Sequence, residues 1–453
     1  MPQTASTSPN VIVFFTDQQR WDTTGVHGNP LDLTPNFDRM AMEGTHCFHA
    51  YSPQPVCGPA RACLQTGRYA TAVGCWKNGI ALPQDAPSLG KAFSAAGYDT
   101  AYIGKWHLAS DHNAPVPPHE RGGYQYWLAS NAIEFTSELY DTGVYDNDCK
   151  LVRLPGYRVD ALTDAAIRYI DAHQTRPFHL FLSFSEPHFH NRTSGHPAPD
   201  GYRERYESRW IPPDLMALGG STHKDIGGYY GMVKRLDEAL GRLLDALKSL
   251  RLLDNTIVLF TTDHGCHFRT RNSEFKRSCH DASIRIPMAL RGPGFDGGGR
   301  VQQMVSLVDV APTLLDAAGL PIPEGTHGRS ILPLIRRERS EWPQEVFVQI
   351  SEAVVGRAVR TKKWKYSVEA PGIQGWSAPA SPRYVETHLY DLENDPHELS
   401  NLIGLESHAG VCDVMRGRLI RRMIEAGEPT PIIEPAKPRK AGQRRVLESE
   451  IAL

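Results

Sequence analysis

Cys57 opens the run Cys57-Gly58-Pro59-Ala60-Arg61-Ala62-Cys63-Leu64-Gln65-Thr66-Gly67-Arg68. Taken alone, a cysteine is more often a small buried hydrophobe. Oxygen-bearing pairs stand elsewhere in the chain, Asp17 with Gln18 and Asp263 with His264. Hard divalent cations take oxygen ligands, but an isolated aspartate after a strand is more often a turn former or helix cap. Lys105, His107, His188 and Lys276 could supply positive charge and proton transfer to an anion. Taken singly, each reads as a surface cation or a satisfied core histidine.

The elements that would carry these residues are legible. Val11-Ile12-Val13-Phe14-Phe15 is a β-branched and aromatic run of the kind found in buried parallel strands, and it ends on Asp17-Gln18-Gln19-Arg20. Residues 98–105 read as a second strand, preceded by a helix over 88–96. Residues 178–184 read as a third, ending on Ser185-Glu186-Pro187-His188, and 255–262 as a fourth, ending on Asp263-His264-Gly265. Met232, Leu236, Leu240, Leu243, Leu244, Leu247 and Leu250 recur at steps of three and four, which predicts an amphipathic helix packed on a sheet. Strands alternating with helices predict an α/β fold with a mainly parallel central sheet flanked by helices. In such sheets ligands gather at the carboxyl ends of the strands, where these ionisable residues fall.

After Leu334 short strands crowd together, 346–349, 358–360 and 364–367, and His388-Leu389-Tyr390-Asp391-Leu392 follows. They predict a small C-terminal antiparallel α+β subdomain. The expected division is a catalytic domain over 8–338, the subdomain over 339–434, and a basic tail over 435–453. That tail carries Lys437, Arg439, Lys440, Arg444 and Arg445 and reads as mobile and solvated.

Composition narrows the partners. The chain has 453 residues, 40% hydrophobic and 22% charged, with a net charge of −2. Nothing in that balance attracts nucleic acid or a membrane surface, so an anionic substrate would need local cations. The eight cysteines (47, 57, 63, 75, 149, 266, 279 and 412) follow no disulfide or zinc spacing. The first nine residues lack a basic segment and an apolar run. Both features lead us to expect a cytoplasmic protein, or a periplasmic or secreted one if a leader has been removed.

The Cys-x-Pro-x-Arg run at Cys57, with the Thr-Gly at Thr66-Gly67, resembles the signature of the type I sulfatases, whose fold is alkaline-phosphatase-like. The resemblance extends over about residues 10–402. It implies that Cys57 is oxidised to formylglycine by a formylglycine-generating enzyme; a plain thiol attacking sulfur would give only a poor intermediate. It also implies one divalent metal held by Asp17, Gln18, Asp263, His264 and the formylglycine oxygen at Cys57. Gly104-Lys105-Trp106-His107 is similar to the family's Lys-x-His element: Lys105 would bind a sulfate oxygen, and His107 would take a proton from the spare diol hydroxyl. Glu186-Pro187-His188 matches the family's mid-chain histidine. Lys276, ahead of Ser283-Ile284-Arg285-Ile286-Pro287, matches a sulfate-clamping lysine, and Arg61 would hold the formylglycine. His188 or Lys276 would protonate the leaving oxygen. The Leu389-Tyr390-Asp391-Leu392 and Asp395-Pro396-His397-Glu398 elements resemble the family's C-terminal subdomain.

Two positions depart from the commonest pattern. Gln18 replaces the second acid of an Asp-Asp pair, with one less negative charge, and Gln19 could take its place. His264 brings nitrogen to the metal. Calcium is expected first, with magnesium or manganese as alternatives. Family members commonly carry Tyr-Glu where His280-Asp281 stands. The segment 266–280 crowds His267, Arg269, Arg271, Lys276, Arg277 and His280 beside Asp263, so Arg269 and Arg271 are expected to reach the pocket rim and meet an anionic saccharide. The resulting expectation is a sulfuric ester hydrolase acting on a sulfated saccharide. The alternatives are a phosphonate monoester or phosphodiester hydrolase on the same fold and a non-catalytic glycan-binding protein with unmodified Cys57. The oligomeric state is left open.

Overall fold

The computed structural model describes residues 8–338, 341–439 and 446–451. Its larger sheet contains β1 (Asn10–Thr16), β2 (Thr45–Tyr51), β3 (Asp99–Lys105), β4 (Tyr126–Ser130), β5 (Asp141–Tyr145), β6 (Leu151–Pro155), β7 (Phe178–Ser183), β8 (Thr256–Thr262), β9 (Arg285–Ile286), β10 (Ala289–Arg291) and β11 (Gly299–Ser306). Their spatial order is β11-β2-β10-β8-β1-β7-β3-β4-β5-β6, with β9 paired to β2. The centre, from β8 through β1, β7 and β3 to β4, is parallel throughout. The four runs read from sequence as strands are β1, β3, β7 and β8.

β1 shows why the sheet is covered on both sides. Val11, Val13 and Phe15 enter one apolar cluster, while Ile12 and Phe14 enter the other. All five are fully buried, each contributing about 1.5–3 kcal/mol. On the Ile12 face lie the helices Arg158–Ala172 and Thr222–Ser249. The second of these begins well ahead of the leucine pattern, because Gly227, Gly228 and Gly231 dilute the apolar signal there. Close packing requires two of those glycines. A Cβ on Gly228 would lie 2.1 Å from the His196 carbonyl, and one on Gly231 2.7 Å from Ala198. That closeness outweighs the ~1 kcal/mol that glycine costs a helix.

The second sheet is β12 (Glu345–Ile350), β13 (Val354–Thr361), β14 (Trp364–Gln374), β15 (Arg383–Asp391) and β16 (Ile432–Glu434), antiparallel except for the last pairing. The helix Ala409–Glu425 packs on it through Val411, Met415, Leu419 and Met423. This is the expected C-terminal α+β unit. The described part of the tail differs from the mobile segment expected. The Arg439 N–H donates to the Gly404 carbonyl at 2.7 Å, the Val446 N–H donates to Ser407 at 3.0 Å, and Ile451 joins the core of the subdomain. Backbone pairing and one buried isoleucine hold it despite its basic composition. Lys440, Arg444 and Arg445 lie outside the described residues.

Candidate active site

Sheet register brings the first residues together. Thr16 of β1 pairs with Thr262 of β8, so the next residues, Asp17 and Asp263, leave the sheet side by side. The Gln18 N–H donates to Asp263 Oδ1 at 2.9 Å, and the Gln18 carbonyl accepts from the Tyr229 hydroxyl at 2.8 Å. These bonds hold Gln18 at φ 66°, a left-handed conformation that costs a non-glycine residue about 1 kcal/mol or more. On the other side of β1, β7 and β3 deliver Glu186, His188 and Lys105 at the same edge.

Cys57 is the first residue of the buried helix Cys57–Thr66. The helix N-terminus adds a partial positive charge there. The Gly58 N–H is held by Asn78 Oδ1 at 2.9 Å, and a Cβ on Gly58 would come within 3.1 Å of the His107 carbonyl. A glycine is therefore what lets Asn78 and His107 close on the nucleophile.

Lys276 Nζ donates to Cys57 Sγ at 2.8 Å, to His188 Nε2 at 3.0 Å and to His264 Nε2 at 3.2 Å. An ammonium has three donors, and all three are used. Both imidazoles are turned for this. His188 Nδ1–H donates to the Phe189 carbonyl at 2.6 Å and His264 Nδ1–H to the Gly265 carbonyl at 2.9 Å, leaving each Nε2 lone pair facing the centre. Cys57 Sγ lies 3.4 Å from His264 Nε2 and 3.5 Å from Asp17 Oδ1. Burial pushes the thiol up, but Lys276, Lys105, His264 and His107 outweigh it and hold it well below its ordinary range. Burial, then Lys276, lowers His188, which keeps it neutral.

One ligand atom from each of Asp17, Cys57, Asp263 and His264 lies within 4.8 Å of the others. Gln18 Oε1 and Asp263 Oδ2 are buried without a hydrogen bond, although Arg61 Nε approaches Asp263 Oδ2 as an ion pair at 3.4 Å. Gln19 is committed elsewhere, accepting from Thr16 Oγ1 at 2.9 Å and donating to Thr23 Oγ1 at 3.1 Å, so Gln18 is the amide available to the centre. Burial and the charge of Asp17 raise Asp263 to about 7, with His264 and Arg61 countering in part. Burial and Cys57 push Asp17 up, but Lys105, His188 and Lys276 prevail and hold it far below its ordinary value.

Arg61 and Lys105 take different partners from those expected. Arg61 does not hydrogen-bond Cys57. It pairs with Asp17 Oδ2 at 3.0 Å and donates to the Lys105 carbonyl at 2.8 Å and Ser183 Oγ at 2.7 Å. Lys105 Nζ sits between Asp17 Oδ2 at 2.9 Å and Glu134 Oε1 at 2.8 Å, fully buried. Both cations lie beneath the reactive sulfur and fix its carboxylates. Their reach from the end of β3 and from one turn into the helix explains this: a neighbouring carboxylate is closer than the cavity.

Glu134 was not singled out in the sequence, because nothing in Ala132-Ile133-Glu134 marks it. It answers Lys105, which, with His107 and His188, overcomes burial and holds Glu134 down to about 2. The basic segment 266–280 also divides in a way that composition could not show. Arg269 lines the cavity above Cys57. Arg271 turns away and donates to the carbonyls of His397 and Glu398, each at 2.8 Å. His267 Nε2 donates to the Lys276 carbonyl at 3.0 Å, and His280 meets the Tyr390 hydroxyl at 3.1 Å. Asp281 pairs with Arg360 at 3.1 Å and Lys365 at 2.5 Å, and its N–H donates to Glu398 Oε2 at 2.7 Å. The loop carrying Lys276 is thus clipped to the turn Asp395-Pro396-His397-Glu398 on both sides of the lysine.

The cavity over Cys57 encloses about 480 Å³ and is bordered by Gln18, His107, His188, Arg269, Lys276 and Trp376, among others. Comparison with known proteins matches residues 9–320 to the Sulfatase family and residues 274–425 to the family described as N-sulphoglucosamine sulphohydrolase, C-terminal. The chain is 31% identical to the ulvan-active sulfatase of Formosa agariphila, over 94% of its own length and 83% of that protein. The crystal structure of yidJ from Bacteroides fragilis is 26% identical, covers 95% of this chain and 98% of its own, and superposes with a TM-score of 0.82. The fold is shared more widely: the phosphonate monoester hydrolase of Agrobacterium radiobacter is 23% identical, with coverage of 92% and 96% and a TM-score of 0.68.

Proposed function

This chain belongs to the sulfatase family and is a sulfuric ester hydrolase, and on that premise we propose that it removes sulfate from an anionic saccharide, with Cys57 carried as formylglycine and a divalent cation beside it. The observation that supports this best is the convergence of Lys276 Nζ, His188 Nε2, His264 Nε2 and two carboxylates around Cys57 Sγ, at the floor of an open cavity. The sulfur stands where the formylglycine oxygens would be. The saccharide part of the reading draws support from the ulvan-active relative.

The donor set fits a hard cation. Asp17, Asp263, Gln18 Oε1 and His264 Nε2 would hold it; the 4.8 Å within which Asp17, Asp263, His264 and the position of Cys57 fall is about twice a calcium–oxygen bond of ~2.4 Å. Calcium is therefore our first assignment, with magnesium or manganese next. A bound cation supplies Lewis acidity toward a sulfate oxygen. A hydrated formylglycine supplies two hydroxyls, one to attack sulfur and one to expel sulfate afterwards.

The chain's own residues do the rest. Arg61 and Lys105 hold Asp17 ionised, and Arg61 also pairs with Asp263 to keep it in place. His188, neutral and accepting at Nε2, holds the Lys276 ammonium pointing at the centre. Lys276 then stabilises the anion and gives its proton to the leaving ester oxygen. His107, which interacts with the Cys57 side chain and whose Nδ1 has no hydrogen bond, takes a proton at the nucleophile's position. We place maturation with a formylglycine-generating enzyme.

The test is turnover of an aryl sulfate, a phenyl phosphonate ester and sulfated saccharides by protein matured with that enzyme. Preference for sulfate esters by tenfold or more in kcat/KM supports the proposal. Preference for the phosphonate ester would move the assignment to the alternative on the same fold, and no turnover of any of them would return it to a glycan-binding protein.

A further inference from the structure

Two cations facing the cavity lack a carboxylate partner, and they stand at different depths. Lys276 is one; its three donors go to Cys57, His188 and His264. Arg269 is the other. Arg277, which also borders the cavity, is neutralised by Glu274 at 2.8 Å and Glu352 at 2.5 Å. Glu134 is taken by Lys105. Among the described residues, no carboxylate lies within ion-pair distance of Arg269.

Arg269 is nonetheless held in place. Its guanidinium lies over the Phe275 ring at 4.7 Å and the Phe189 ring at 5.6 Å, and these two rings stack on each other at 4.5 Å. Phe275 directly precedes Lys276 and Phe189 directly follows His188. The platform under Arg269 is therefore built from the neighbours of the two groups that reach the reacting atoms. Phe268 and Arg269 both adopt positive φ, 48° and 60°. The Phe268 carbonyl accepts the Ser221 N–H at 2.8 Å, which fixes that turn. Stacking on two rings leaves the planar fork of the guanidinium free to bind an oxyanion through paired N–H donors. Trp376, on the border of the same cavity, is 49% exposed, and its carbonyl is anchored by Lys77 Nζ at 3.0 Å. The Arg277 guanidinium lies over one face of the Trp376 ring at 5.9 Å, and the opposite face is the one that can meet the C–H side of a sugar.

We propose that Arg269 is a subsite for a second oxyanion on the substrate, a carboxylate or a second sulfate, with Trp376 stacking the sugar that carries it. The proposal rests on the sulfatase reading above. It makes this an enzyme for saccharides bearing at least two anionic groups, one at Lys276 and one at Arg269.

The experiment compares matured wild type, Arg269→Ala and Arg269→Lys on three oligosaccharide sulfates of equal length: one with a neighbouring uronate, one with a second sulfate in its place, and one with a neutral sugar there. Arg269→Ala should raise KM for the dianionic substrates by about ten- to a hundredfold, the cost of one charge-assisted hydrogen bond. The rise for the neutral one should be several times smaller. Arg269→Lys should recover part of the loss, because the charge remains but the fork does not. The better wild-type substrate of the two dianions tells carboxylate from sulfate. Trp376→Ala should raise KM for all three. If Arg269→Ala raises KM by the same factor on all three substrates, Arg269 is structural and the subsite is refuted while the sulfatase reading stands. If wild type turns over none of them and no aryl sulfate, the sulfatase reading itself fails.

Discussion

Cation affinity should depend on pH through Asp263, and the structure sets both sign and size. In the metal-free protein Asp263 is buried beside ionised Asp17, and its carboxyl is raised to about 7. Asp17 is held low and stays ionised over the working range. A carboxylate must be deprotonated to ligate a cation, so acid competes with the metal. At pH 8 Asp263 is mostly ionised and there is little competition. At pH 6 about nine molecules in ten hold the proton, and apparent affinity should be roughly tenfold weaker, ~1.4 kcal/mol. An ordinary surface aspartate would give no change over that window. The folded metal-free state binds a proton that the unfolded chain releases, so this group stabilises the metal-free fold below pH 7 and the stabilisation is lost as pH rises through 7. Calcium titration calorimetry at pH 8, 7 and 6 on matured, dialysed protein reads the effect. Asp263→Asn should bind more weakly at pH 8, with a flattened pH dependence. A flat wild-type profile, or an unchanged slope in Asp263→Asn, would refute the reasoning. So would a slope of the opposite sign.

Other expectations follow from single contacts. Cys57→Ala should abolish turnover and leave the thermal transition in place; surviving activity, measured with an aryl sulfate, would remove Cys57 from the mechanism. Gln18→Asp adds a charge next to the cation site and should tighten calcium binding by about tenfold or more, since unit charges ~4 Å apart interact by several kcal/mol at an effective dielectric near 20; weaker binding in the same calorimetry would place Gln18 outside the ligand set. Arg271→Ala removes two hydrogen bonds to the His397 and Glu398 carbonyls and should cost about 1–3 kcal/mol in denaturant unfolding, with equal loss of kcat/KM on mono- and dianionic substrates; a selective loss on dianions would show that it reaches the substrate. Asp281→Asn leaves the buried Arg360 without a carboxylate and Lys365 with Glu398 alone and should cost about 3 kcal/mol; an unchanged midpoint would show that the network does not hold the two sheets together.

The parallel core was legible because β1, β3, β7 and β8 are short runs of β-branched and aromatic residues buried on both faces, and each ends on the polar residues that the fold brings to one edge. The other seven strands of the larger sheet, β2, β4, β5, β6, β9, β10 and β11, were not read; β5 and β6 show one reason. They are short and partly exposed, and Gly143 and Pro155 break their pattern. The residues gathered around Cys57 were named because their order matched a family. Their division of labour was not visible. Sequence places Lys105 two residues from His107, but only the sheet edge shows that Asp17 and Glu134 capture its ammonium. Arg269 and Arg271 look equivalent in sequence. In the fold, one lies on stacked rings at the cavity and the other is spent on carbonyls of the C-terminal turn, a contact more than a hundred residues away. Long-range partners of polar side chains leave no periodic trace, so loop residues were the least predictable part of the site.

The central claim, sulfate ester hydrolysis through formylglycine at Cys57, is tested most directly by one plot. The protein is produced with graded amounts of the maturation enzyme, the fraction of residue 57 present as formylglycine is measured by mass spectrometry of the peptide spanning 51–61, and initial sulfate release is plotted against that fraction. The account predicts a straight line through the origin. Sulfate release from preparations in which residue 57 is entirely cysteine, at the rate of matured protein, would contradict it.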